Sequence, residues 1–396
     1  MHEERSTLEP ESGCFWRAKS AEIPDREPRR RVLLTGATGF LGGAFLAHTR
    51  ERSGRPIEWV LPARGADLAD ARRRVHKRLA RFVEEHHAVE ILANAQIVCA
   101  DLTDADAFSD AELDGVTHVV HLAANTSFIA RAGVWTMNYE ATRWLARRLC
   151  RVPTLRRFVY VGTAMICGDT AAETVHEECY PSAGAEHLVA YTASKAAAEQ
   201  MLRNEFPELP LLVARPSVVI GHTRLGCAPS GSIFWVLRAL ERVRLLAGNT
   251  DASLDVVPAD YVAEALDHLT FARALKHTTY HISAGYESRT PIRQTAARLA
   301  ARRSLPVPWP DYEVISSRDV PLYKQRMVQA FGAANGRRMQ LALGLYLRFC
   351  ELNVKFDNSR LRAEGLRQPP PLLEYLETCL RQCEDIDIVE QADDEI

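Results

Sequence analysis

Thr35-Gly36-Ala37-Thr38-Gly39-Phe40-Leu41-Gly42, entered from the apolar run Val32-Leu33-Leu34, decides how this chain is read. The pattern is a buried strand that runs through a glycine turn into a helix, expected over residues 44–50. Gly36 permits the tight turn, Gly39 lets the backbone approach a pyrophosphate, and Gly42 lets helix and strand pack closely. The helix start then presents unpaired N–H groups and a partial positive charge to phosphates. Strand, turn and helix in that order point to a dinucleotide site and to a doubly wound α/β fold.

The glycine spacing is G-x-x-G-x-x-G, and T-G-A-T-G-F-L-G resembles the extended branch of the short-chain dehydrogenase/reductase superfamily. That resemblance demands a Tyr-x-x-x-Lys pair downstream, and Tyr191-Thr192-Ala193-Ser194-Lys195 supplies it at the start of a helical run. A spacing of four puts phenol and ammonium on one helix face. Only six of the 49 basic residues are Lys, so a lysine at this place stands out from the composition. Arginine could not replace it, since a titratable point charge on a flexible stem is what tunes a neighbouring phenol. Phe158-Val159-Tyr160-Val161 then reads as a strand closing near Thr163. The resemblance aligns Thr163 with the hydroxyl residue that hydrogen-bonds a substrate carbonyl. It implies that Lys195 holds the nicotinamide ribose and depresses the Tyr191 pKa.

Composition sets the outer bounds. A chain of 396 residues, 47% hydrophobic and 25% charged, has the make-up of a soluble globular protein able to bury a large core. A formal net charge of −2 lacks the basic excess of a nucleic-acid binder. Nine scattered cysteines with no C-x-x-C read as reduced thiols of a cytoplasmic protein, with no metal site; Cys379 and Cys383 have no nearby His to complete a ligand set. Residues 1–30 are charged and lack an apolar signal core, and are expected to be disordered. The apolar stretch from residue 339 to 349 is too short to span a bilayer and reads as a buried helix, with membrane-surface contact as the alternative. The acidic stretch 386–396 is expected to be a solvated tail.

Apolar runs at 57–61, 96–99, 118–122, 158–161 and 211–214 alternate with helical patterns, which implies a parallel sheet covered on both faces. The expected organisation is a dinucleotide-binding Rossmann domain over 31–220. A smaller, mainly helical substrate region over 221–385 is interleaved with it. Helices are expected at 232–246 and 260–274, the latter capped by Asp260. The second strand ends without a carboxylate and runs into Arg64, with Arg72, Arg73 and Arg78 beyond. A guanidinium there pairs with a 2′-phosphate, which favours NADPH over NADH.

The long Arg-rich interval between Arg64 and Asp101 resembles the thioester reductase and fatty acyl-CoA reductase branch, the male-sterility-type NAD-binding proteins. Val98-Cys99-Ala100-Asp101-Leu102, His121-Leu122-Ala123-Ala124-Asn125, Ala214-Arg215-Pro216-Ser217-Val218-Val219-Ile220-Gly221 and Asp255–Val262 carry the same resemblance. Later only Phe356-Asp357-Asn358-Ser359 does so. Members of this branch commonly have Thr where Thr163 stands. The resemblance places Asp101 and Leu102 at the adenine, Ala123 and Ala124 at the nicotinamide ribose, and Pro216 and Val218 at the carboxamide. It implies NADPH-dependent reduction of an acyl thioester, on coenzyme A or a carrier protein, to an aldehyde or onward to the alcohol. Asn125, Met165, Ile166, Cys167, His222, Arg224 and Trp235 are substrate-side candidates by position. The segment 221–231, with Arg224 as its cation, reads as a lid for a phosphopantetheine arm or as an ordinary connection. Two other readings stay open: an extended-family oxidoreductase or epimerase acting on a sugar nucleotide, sterol or ketone, and a non-catalytic NADPH-binding regulator.

Overall fold

The computed structural model describes residues 30–52, 57–128, 133–169, 173–179, 185–247, 249–301 and 312–393. The disorder expected for 1–30 therefore lies outside the described residues, except that Arg30 opens the first strand.

Seven strands form the central sheet: β1 (Arg30–Thr35), β2 (Ile57–Ala63), β3 (Ala95–Cys99), β4 (His118–His121), β5 (Arg157–Val161), β6 (Leu211–Pro216) and β7 (Thr279–Ile282). Their order is β7-β6-β5-β4-β1-β2-β3 and every pairing is parallel. Parallel strands need covered crossovers, so both faces must be apolar. They are: Val32, Leu34, Val120 and Val159 point into one core, while Leu33, Val119, Phe158 and Tyr160 point into the other.

The helices packed on the first face include α1 (Phe40–Arg52), α2 (Leu68–Leu79), the helix Glu85–Ala93 and a later one, Ala259–Phe271. The second face carries α3 (Ala141–Leu149) and α4 (Ala190–Glu205). Chain order makes the later helices α5 (Phe234–Val243), α6 (Ala259–Phe271), α7 (Lys324–Leu352), α8 (Leu372–Gln382) and α9 (Ile388–Asp393). The order of β1 to β7 reverses between β1 and β4. Ligands of such sheets bind at that switch, beyond the strand C-termini.

Several expectations need correction. Helix α5 stops at Val243 because Arg244 takes a left-handed conformation (φ 55°), and Leu245–Ala247 then pairs with Glu313–Ile315. Helix α6 begins at Ala259 after Pro258, with no side-chain cap. Asp260 instead accepts hydrogen bonds from the Thr223 N–H (3.0 Å) and hydroxyl. The run 339–349 does lie in a helix, α7, which buries Met339, Leu343, Tyr346 and Leu347 and kinks at Gly332 (φ 80°). Among the described residues no helix is long and apolar enough to cross a membrane. The acidic stretch is not wholly a solvated tail. Its residues 388–393 form α9, which buries Gln391 and Ala392 against the helical C-terminal core. Arg238 of α5 donates to Gln391 Oε1 (2.6 Å) and to the Ile386 carbonyl (2.7 Å).

One buried ion pair fixes α4 to the sheet. Arg215 of β6 donates to both Glu199 carboxylate oxygens (2.6 and 2.9 Å), and Arg203 adds two further bonds to Glu199 Oε1. Burial alone would raise the Glu199 pKa, but the two guanidiniums outweigh it and hold the carboxyl below its ordinary value. Removing one member leaves an uncompensated buried charge. Glu199→Ala should therefore destabilise the fold by about 3–5 kcal/mol in denaturant unfolding. The gap from wild type should narrow as the pH falls through the folded-state pKa, where the native carboxylate also loses its charge. A variant as stable as wild type at neutral pH would remove this pair from the account of the fold.

Candidate active site

The glycine turn shows why no side chain is tolerated there. Gly36 has φ 77°, and a Cβ on it would meet the Ala123 N at 2.8 Å. A Cβ on Gly42 would run into the Gly36 carbonyl. Gly39 is exposed and donates back to Gly36 O (2.9 Å), closing the turn. The first turn of α1 holds no acidic residue, so its free N–H groups face no competing carboxylate. The rings of Phe40 and Phe82 stack at 6.1 Å, while Leu41 packs on the first core. What these two offer a ligand is backbone. Thr38 accepts from Arg78 Nε at 2.9 Å, which fixes the far side of the turn.

A hydrogen-bonded chain ties this turn to α3. Ala123 N–H donates to Thr35 Oγ1 (3.1 Å), which lies 2.7 Å from His121 Nδ1. His121 Nε2 lies 2.9 Å from Thr142 Oγ1, which donates to Asn138 O (2.8 Å). With the Thr142 proton committed, Nε2–H donates and Nδ1 accepts from Thr35, so the ring is neutral. Burial, with Lys195 adding, pushes the His121 pKa down to about 3.

Asn138 sits in a π-helical turn, Thr136–Glu140, and was not singled out from sequence. Its Nδ2 donates to Asn125 O (3.0 Å) and Ser194 Oγ (2.9 Å), and its Oδ1 accepts from Asn125 N (2.8 Å). Ser194 Oγ donates to Tyr191 O (2.8 Å). Asn138 thus fastens the chain after β4 to the helix that carries Tyr191 and Lys195. The features that mark it, a buried amide in a π-turn, appear only in the fold.

Lys195 is buried, its Nζ 4.5 Å above the centroid of the Tyr160 ring, and its ammonium has no hydrogen-bond acceptor among the described residues. Burial pushes its pKa down to about 7, against a partial upward pull from Glu199. Tyr191 is half-buried, and burial pushes its pKa up to about 12. The expectation that Lys195 depresses the Tyr191 pKa is therefore not met in this structure: burial dominates both groups. Thr163 lies just beyond β5, and its Oγ1 accepts from Met165 N (3.3 Å), leaving the O–H free to donate. The 3₁₀ turn that Thr163 caps, Ala164–Cys167, packs on α4.

Arg64 is exposed at the end of β2 and beside Asp101. Asp101 is held below its ordinary pKa by the Thr103 N–H, with the Thr103 hydroxyl and Arg64 also lowering it. The other arginines are engaged: Arg72 with the Leu92 carbonyl, Arg73 with Asp70, and Arg78 with the Thr38 and Pro229 carbonyls. Leu102 packs on the second core. Ala124 follows Ala123 at the β4 edge. Pro216 ends β6 opposite Ile282, and Val218 pairs with Val256.

The substrate-side candidates divide. Asn125 is tied through Asn138 to the helix of Tyr191, while Met165 packs against the cluster of Ala164, Val175 and Phe356. Ile166 and Trp235 are core, and burial pushes the Cys167 thiol up to about 11. His222 is buried, its Nδ1 accepting from the Arg224 and Leu225 N–H groups. Arg224 pairs with Glu51 in the last turn of α1. That is about 16 Å along the helix from its phosphate-facing start, at 1.5 Å per residue. Segment 221–231 is tied down at Asp260, at Pro229 and through the His222–Gly226 bridge. These contacts anchor the segment to α6 and α2.

Burial of an unpaired Lys195 ammonium, together with a glycine cradle that Cβ atoms would fill, fits a dinucleotide carrying ribose hydroxyls and a pyrophosphate. Comparison with known proteins agrees. The family model described as male sterility protein, an NAD-binding family, matches residues 34–266, more than half of the chain. A Drosophila melanogaster protein named "Putative fatty acyl-CoA reductase CG8303" is 24% identical over 61% of this chain and 52% of its own length. An isonitrile lipopeptide synthase of Streptomyces coeruleorubidus is 30% identical over 64% of this chain and 17% of its own. The chain thus spans about half or less of these relatives. Among solved structures, the terminal R domain from the myxalamid PKS-NRPS pathway superposes with TM-score 0.73 at 20% identity, covering 91% of this chain and 92% of that one. A thiolation-reductase di-domain from an archaeal non-ribosomal peptide synthetase gives 0.69 at 16%, covering 91% and 76%. Those two likenesses bear on the fold. The chain belongs to the male sterility protein family, an NAD-binding family.

Proposed function

We propose that this protein uses NADPH to reduce an acyl thioester, carried on coenzyme A or a carrier protein, to an aldehyde. The observation that carries the reading is a protonated, half-buried Tyr191 on the same helix face as a buried Lys195 that has no hydrogen-bond acceptor among the described residues, with Thr163 capping the 3₁₀ turn that packs on that helix. Relatives named for fatty acyl-CoA reduction and for carrier-based peptide synthesis support the choice of thioester.

Gly36, Thr38, Gly39, Phe40, Leu41 and Gly42 would hold the pyrophosphate through backbone. Arg64 would hold the 2′-phosphate, Asp101 and Leu102 the adenosine end, Ala123, Ala124 and Lys195 the nicotinamide ribose, and Pro216 and Val218 the carboxamide. When bound, the reduced nicotinamide supplies the hydride. A phenol held near 12 keeps its proton at neutral pH, so Tyr191 enters the reaction as the acid, donating to the carbonyl oxygen as negative charge develops there. The Thr163 O–H gives that oxygen a second hydrogen bond. Lys195, close to half-protonated near neutrality, is held ready for ribose hydroxyls. Departure of the thiol then leaves the aldehyde; a second reduction would yield the alcohol.

The test is a single-turnover panel that follows NADPH absorbance and free-thiol release together. Thiol release matched to NADPH loss is expected. Turnover of a sugar nucleotide or alcohol without thiol would overturn the reading.

Tyr191→Phe should lower turnover by roughly two to four decades, as loss of a positioned acid does. NADPH affinity, measured by fluorescence titration, should stay nearly constant. A wild-type rate would remove Tyr191 from the chemistry.

Arg64→Asp should weaken NADPH at least about tenfold relative to NADH, because a charge-assisted bond worth about 1.5–3 kcal/mol becomes a repulsion. An unchanged ratio of the two dissociation constants would mean that the 2′-phosphate is not read by Arg64.

A further inference from the structure

The Lys195 ammonium has a contact that is not a hydrogen bond. Side chains alternate along β5, so Phe158 and Tyr160 both face the core on which α4 packs. Tyr160 is fully buried there, and its hydroxyl donates to the Lys195 carbonyl (3.2 Å). That bond ties the ring to the backbone of the residue whose side chain it meets. Nζ of Lys195 stands 4.5 Å above the ring centroid, within the range of a cation–π contact. The other groups around this ammonium are neutral or already engaged. On α4, Tyr191 keeps its proton, and both Glu199 oxygens accept from Arg215 of β6 and Arg203. On β4, His121 is neutral, its ring 6.1 Å from that of Tyr160. Burial keeps the Tyr160 phenol neutral as well. Glu199 acts from one turn away; the negative face of Tyr160 acts in contact.

We infer that Tyr160 is a positioning residue: its ring face holds the Lys195 ammonium, charged and in place, in a cleft that gives it no hydrogen-bonded anion. The inference rests on the reading that Lys195 meets the nicotinamide ribose, and not on the choice of thioester. Burial disfavours the charged form and pushes this lysine down to about 7. The ring quadrupole opposes that push, and does so more strongly in a desolvated site than at a surface. An aliphatic side chain of similar size would fill the space and leave the charge without a partner. A carboxylate in contact would hold the N–H donors itself. A ring face favours the charge and leaves most of those donors to ribose hydroxyls.

The experiment titrates the full chain with NADH, which lacks the 2′-phosphate and its separate ionisation, and follows nicotinamide fluorescence from about pH 5.5 to about pH 9. Protonated Lys195 binds ribose hydroxyls more tightly, so log Kd should be flat at acid pH and rise above a break at about 7. Lys195→Met should weaken NADH and abolish the break, which separates it from Glu177, a carboxyl that burial also pushes up to about 7. Position 160 is then filled by phenylalanine carrying none, one, two or three ring fluorines, a series that withdraws electrons from the ring face at nearly constant shape. Tyr160→Phe should keep the break within about 0.3 of a pH unit, and three fluorines should lower it by about 0.5–1.5 units, with one and two fluorines between. Breaks that coincide across the series, or Kd values that shift equally at every pH, make Tyr160 merely structural and overturn the proposal. If the wild type shows no break, or Lys195→Met leaves the break or the affinity unaltered, Lys195 does not carry its charge to the ribose, and the inference falls with that reading. The thioester reading is untouched by any of these results, since no thioester is present.

Discussion

The buried pair between Glu199 and Arg215 is the constraint on which the site depends. It joins the helix that carries Tyr191 and Lys195 to the strand that ends at Pro216. Two charges taken out of water are held only when geometry and extra hydrogen bonds offset desolvation. Here Arg215 also donates to the Glu177 and Cys179 carbonyls (3.3 and 3.1 Å), and Arg203 reaches Thr279 Oγ1 (2.7 Å) on β7. Glu177 in turn accepts from the backbone N–H groups of His281 and Arg360. Its carboxyl is pushed up to about 7 by burial. One polar network therefore runs from α4 through β6 and β7 to the chain after Phe356.

A second network works on the opposite side of the same helix. The chain from Ala123 through Thr35, His121 and Thr142 to Asn138 contains no charge, and its order follows from a neutral imidazole. It relates the glycine turn to α3, and Asn138 then relates α3 to Ser194 on α4. The glycine turn and the Tyr191–Lys195 pair come from segments about 150 residues apart. They keep a fixed relation because a charged clamp and a neutral clamp hold the same helix from two sides.

What was legible in the sequence follows from the range of the forces involved. The glycine turn, the parallel strands and the Tyr191–Lys195 pair are local patterns, set by steric periodicity and spacing, and they were readable directly. Asp260 misled because a carboxylate at a helix start is a good cap by local rules. Its actual partner, Thr223, lies 37 positions away. The stretch after residue 385 looks acidic by count, yet Val389 and Ile388 pack with Ala392 on the C-terminal core, which composition cannot reveal. Arg224 was drawn toward the site by its place after Pro216, but pairs with Glu51 on another helix. Tyr346 and Phe349 were read only as part of a buried apolar helix and Phe128 not at all, since aromatics in apolar segments read as core until the fold stacks Phe128 between Tyr191 and Tyr346.

Burial is also what gives the reacting pair its electrostatic character. It moves Tyr191 and Lys195 in opposite directions, because each shift favours the uncharged form. The phenol stays protonated, while the amine sits close to losing its proton near neutral pH. A ligand whose hydroxyls accept from the ammonium favours the charged form of Lys195. By linkage, the protonated form must then bind that ligand more tightly. Occupancy of the cleft and the protonation of Lys195 are thus one equilibrium, and Glu199, one turn further along α4, biases it toward the charged form. The same carboxylate that holds the helix to the sheet sets how readily its lysine carries charge.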